Sequence, residues 1–103
     1  MSTHVVKENF ENVEPELKEL IVSSYGISSV PKKLPLKAAS DIGKLLKLLL
    51  PKSVTKVVIV ISREHIGSDQ SISSSVKSAY QDVVVTVMFS HKLDKDTLLV
   101  YYK

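Results

Sequence analysis

The chain has 103 residues, the length of one domain with one modest core. Its hydrophobic fraction of 44% and charged fraction of 24% are ordinary for a globular protein, and no apolar run approaches the roughly 18 residues that cross a bilayer. With no cysteine there is no disulfide, thiolate nucleophile or Cys-based metal site, which fits a reducing, cytoplasmic setting.

The net charge of +3 is unevenly spread. Residues 1–30 hold five Glu and two Lys, residues 31–56 hold seven Lys and one Asp, and residues 57–103 are balanced. The local +6 of the middle segment is the expected footprint of an anionic partner. Scarce Asn and Gln, absent Cys and a preference for Lys over Arg are the composition expected of a thermophile.

Residues 1–11 read as a partly ordered arm in which Val5 and Val6 can add a short edge strand. Lys7, Glu8 and Glu11 leave no apolar stretch there for a secretory signal. A first helix follows, with Asn12 as cap, Glu14 and Glu16 at the positive end of its dipole and Pro15 in the first turn. Val13, Leu17, Leu20, Ile21 and Tyr25 form its apolar stripe, and Gly26 is placed to end it in the left-handed conformation.

Pro31 and Pro35 make residues 27–37 a connector. A second helix is expected from Leu36 to Leu50, stopped by Pro51. Its leucines (45, 46, 48, 49 and 50) spread wider than the roughly 100° stripe of a surface helix, which predicts burial against two neighbours or a second subunit. Gly43 either weakens that helix or lets another backbone approach.

Val57 to Ile61 is an unbroken β-branched run, the signature of a strand buried on both faces. Arg63 to Ser68 is a loop, and a serine-rich helix runs from Asp69 to Gln81, capped by Ser68 or Asp69. Ile72, Val76, Ala79 and Tyr80 are its core stripe. Strands 83–89 and 97–102 complete the chain, joined by a short polar turn that predicts an antiparallel pair with the last strand at an edge. The fold expected over residues 1–103 is a single α/β domain of order α-α-β-α-β-β. It has a mixed sheet of three strands, or four with the arm, a right-handed βαβ unit and helices packed on the sheet.

Ligands of open α/β sheets bind beyond the carboxyl ends of the parallel strands. Ser62-Arg63-Glu64-His65 and Ser90-His91-Lys92 end those strands, and the serine-rich helix starts at the same end with free N–H groups. Arg63, the only arginine, suits bidentate phosphate contact, and Ser68, Ser71 and Lys92 complete the expected phosphate-binding set. Glu64, His65 and His91 are the candidates for acid–base work. No Gly-rich phosphate loop, H-E-x-x-H or nucleophile elbow occurs, so no residue is assigned as catalytic, and no metal or cofactor is expected. Polar, solvated loops are the competing reading of this cluster.

Lys37, Lys44, Lys47 and Lys52 are the candidate nucleic-acid contacts, although no aromatic residues interleave with them for base stacking. The leading expectation is a small, non-catalytic module that binds an anionic partner, nucleic acid or nucleotide. The alternative is a subunit that works by self-association, as a homodimer built on the leucine arc and on an edge strand ending in Tyr101 and Tyr102. A phosphoester hydrolase at the strand ends stands third.

Overall fold

The computed structural model describes residues 13–28 and 31–103. In chain order its elements are helix Pro15–Tyr25 (α1), strand Lys32–Pro35 (β1), a 3₁₀ turn Ala39–Asp41, helix Ile42–Leu49 (α2), strand Lys56–Ser62 (β2), a 3₁₀ turn Arg63–His65, helix Asp69–Ala79 (α3), and strands Val84–Ser90 (β3) and Thr97–Tyr102 (β4). The protein is thus of the expected mixed α/β class. The expected arm and its proposed Val5–Val6 strand lie outside the described residues, and the N-cap position of α1 is held by Glu14 instead of Asn12.

Strand β2 is the structural centre. Its β-branched run has no alternation because neither face meets water: Val57 to Ile61 are all buried. Val57, Ile59 and Ile61 point to the face covered by α2 and α3, where Ile42, Leu46, Ile72 and Val76 meet them. Val58 and Val60 point to the opposite face, where Val13, Ile21 and Ile27 cover them from the α1 side. The β2–α3–β3 segment is the expected parallel βαβ unit, in register from Lys56 opposite Val84 to Ser62 opposite Ser90. Gly26 takes the left-handed conformation with φ 67° and ends α1 as expected. On the α1 stripe Leu20 is exposed, at 42%, and Leu17 and Tyr25 are half-buried.

Four features differ from the sequence reading. The connector 27–37 contains a strand, β1, that the prolines concealed; four residues long, it pairs only with β4. An edge strand tolerates proline because one side of it makes no ladder bonds.

Strand β4 is not an edge and does not form a hairpin with β3. It crosses over to lie antiparallel between β1 and β2, giving the order β1-β4-β2-β3. Burial decides this: Leu98 to Tyr101 are all buried and need cover on both faces and both sides, which a position beside β3 at the rim would not give.

The second helix does not begin at Leu36, because the Leu36 N–H is held at 2.9 Å by the Asp96 carbonyl. It coils only from Ala39, as a 3₁₀ turn, and ends at Leu49.

Nor is its leucine arc buried against two neighbours within the chain, the first of the two expectations for it. Leu46 and Leu50 are inside, but Leu48 is 83% and Leu49 42% exposed.

Helices α2 and α3 touch backbone to backbone at Gly43, where an added Cβ would lie 2.0 Å from the Ser75 carbonyl oxygen. The Gly43 N–H donates to Ser75 Oγ at 2.8 Å, and that hydroxyl donates onward to the Ser40 carbonyl at 2.9 Å. Of the two readings of Gly43, close approach of another backbone is the one observed.

Candidate functional site

Two groups of polar residues stand out, on different parts of the molecule. The first lies at the carboxyl ends of β2 and β3. There Ser62 and Ser90 sit side by side in register, both buried. Ser62 Oγ accepts the Glu64 N–H at 3.2 Å and so caps the 3₁₀ turn that carries Arg63, Glu64 and His65. His65 Nε2 donates to the Lys95 carbonyl at 2.6 Å, tying this turn to the β3–β4 connection. Arg63 and Glu64 are exposed beside it, and Ser68 occupies the N-cap position of α3 without a capping side-chain bond.

Ser90 ends β3 and His91 and Lys92 follow it, and here the structure adds a partner the sequence did not suggest. Glu14, only 9% exposed, enters from the start of α1. Its carboxylate accepts from Ser90 Oγ, from the His91 N–H at 3.4 Å and from His91 Nδ1 at 2.9 Å. Ser90 Oγ in turn accepts the Lys92 N–H at 3.1 Å. Burial pushes the Glu14 carboxyl up, but the Ser90 hydroxyl, main-chain N–H groups and the His91 charge outweigh it and hold its pKa below the ordinary value.

This constellation contains Ser, His and Glu, yet it is not a nucleophilic triad. In a triad the serine bonds to the imidazole, whereas Ser90 bonds to the carboxylate and is fully buried. What it builds is a carboxylate-oriented imidazole: Nδ1 faces Glu14, and the ring is 56% exposed. Glu64 and His65 belong to a separate set of contacts. Among the described residues no group of three or more His, Cys, Asp or Glu side chains is arranged to hold a metal ion.

The second group is a groove of about 470 Å³ between α2 and α3, lined by Ser40, Lys44, Lys47, Ser71, Ser74, Ser75, Ser78 and Ala79. Its lining has two ammonium groups and no carboxylate. Ser75 and Ser78 spend their hydroxyl protons on the Ser40 and Ser74 carbonyls. Among the described residues, the hydroxyls of Ser71 and Ser74, which share the lining, make no such bond. Lys44 and Lys47 are one helical turn apart and therefore share a face. Ser71, expected in the strand-end cluster, thus lines the groove with the lysines. Lys37 lines a different hollow with Pro35, Ala38, Asp41, Ile42 and Leu45, and Lys52 is exposed in the turn after α2.

Neither curated proteins nor solved structures provide a match to this chain. Residues 15–99, from α1 into β4, match a domain of unknown function (DUF4898), and the chain belongs to that family.

Proposed function

We propose that the protein is a non-catalytic α/β module that binds the phosphate backbone of nucleic acid through the groove between α2 and α3. The carrying observation is the composition of that groove: Lys44 and Lys47 on one wall, the unengaged hydroxyls of Ser71 and Ser74 on the other, and no acidic side chain in its lining. Ammonium groups neutralise phosphates and serine hydroxyls donate to them, whatever the base sequence. The surplus of lysine over residues 31–56 extends the positive field around it. A free nucleotide offers the same chemistry in smaller form. A setting in the cytoplasm fits a chain without cysteine.

Binding of labelled single- and double-stranded oligonucleotides, followed against salt, tests this. Affinity is expected to fall steeply as salt rises, through counterion release. Replacing Lys44 and Lys47 together by Gln should weaken binding similarly for all sequences and flatten the logarithmic salt slope by about two. Competition with nucleoside triphosphate separates a nucleotide site from a polymer site. Absence of binding even at low salt would remove the proposal.

A second reading, self-association, draws support from Leu48 at 83% and Leu49 at 42% exposed, apolar area that a lone chain leaves in water.

A further inference from the structure

The two edges of the sheet are not alike. The β1 edge is short, flanked by Pro31, ends in Pro35 and carries Lys32 and Lys33, features that discourage another strand from pairing. The β3 edge runs seven residues, Val84 to Ser90, without proline or charge. Among the described residues its outer side has no strand partner.

A groove of about 480 Å³ follows this edge, lined by Val85, Thr86 and Val87 and by Asp69, Gln70, Ser73, Ser74 and Lys77 of α3. Three consecutive strand residues alternate between the faces of the sheet, so a hollow that touches all three lies along the strand's rim. Val84, at 54% exposed, extends the apolar rim beyond the groove.

We infer that a second copy of this chain occupies the edge, pairing β3 with β3 antiparallel across a two-fold axis to make one eight-stranded sheet. The inference rests on the self-association reading but places the contact at the β3 edge and not at the exposed Leu48 and Leu49 of α2. The charges on α3 favour this occupant. Helix α3 runs from the carboxyl end of β2 to the amino end of β3, so it is antiparallel to β3, with Asp69 near the strand's end and Lys77 near its start. A two-fold axis through the paired edges sets the two α3 helices alongside and antiparallel. Asp69 of each copy then faces Lys77 of the other, twice over. Val85, Val87 and Phe89, left half-buried by α3 alone, meet their counterparts. The serine–lysine groove shares Ser74 with this rim groove, but its lysines, Lys44 and Lys47, stand on α2 and line only the former.

Light scattering on the full chain across micromolar concentrations should show twice the 11.4 kDa mass. Asp69→Lys and Lys77→Asp, both at exposed positions, should each raise the dimer dissociation constant by about tenfold, and the double charge swap should restore it. A mass of 11.4 kDa throughout overturns both this inference and the self-association reading. A dimer indifferent to both charge changes but lost in Leu48→Lys/Leu49→Lys overturns the β3 surface alone and moves the contact to α2.

Discussion

Glu14 shows how much one side chain can do outside the run of sequence that explains the fold. Glutamate at the start of a helix is accounted for by the dipole, so nothing in the chain marks it as the partner of Ser90, 76 residues away. No periodicity connects positions so distant; only the packing of α1 across the sheet does. Its lowered pKa has a definite consequence. A folded-state pKa below the unfolded value contributes stability above the ordinary glutamate value of about 4.3, and that contribution is lost as pH falls through the folded value. Glu14→Gln should therefore destabilise the protein at neutral pH, by about 1–3 kcal/mol, because it weakens acceptors that serve buried donors. The gap between parent and variant should close in acid. Denaturant unfolding followed from neutral pH into the acid range checks this, and a gap independent of pH would mean that the carboxylate charge does not matter there.

At the scale of elements, the α2–α3 contact is the most constrained. Gly43→Ala would raise helix propensity by about 1 kcal/mol. The new methyl must nevertheless displace the Ser75 backbone, 2.0 Å away, and overpacking of this kind costs about 1–3 kcal/mol or more. The clash wins, so the variant should unfold at lower denaturant; an unchanged midpoint would show that the helices part easily. Sequence patterns made this pair of helices legible in part. The β-branched run, the Ile72–Val76 stripe and the stop at Pro51 each mark an element whose cause is local. The start of α2 was not legible, because Leu36 is held extended by the carbonyl of Asp96 on a distant turn. Strand β1 was hidden for a similar reason: Lys32 to Pro35 has poor strand character, and only β4 beside it makes it a strand. The groove escaped because Lys44 and Lys47 lie on one helix and Ser71 and Ser74 on another, and their meeting depends on Gly43.

For the molecule as a whole, the strand order sets a gradient of protection. β2 and β4 are interior, β1 and β3 are rims. Native-state hydrogen exchange should be slowest for amides of Val57–Ile61 and Leu98–Tyr101 and fastest, within the sheet, for β1. Equal protection across all four strands would contradict this order. The class of fold and the βαβ unit were readable because each depends on runs of neighbours. The position of β4 was not, because a short connection favours pairing with the preceding strand and burial of Leu98 to Tyr101 overrode that preference.

The same crossover governs how the chain reaches its shape. Lys32 pairs with Val100, so β1 has no ladder partner until β4 exists. One long flank of β2 is likewise unsealed until β4 arrives opposite it. During synthesis the residues before β4 can make the βαβ unit and the α2–α3 pair, but the sheet closes only when β4 slides between β2 and the segment that becomes β1. Such late, distant pairings raise contact order and slow folding. A ribosome that pauses before β4 would hold out an apolar strand with one bare side, a state open to wrong pairing with other chains and guarded by chaperones.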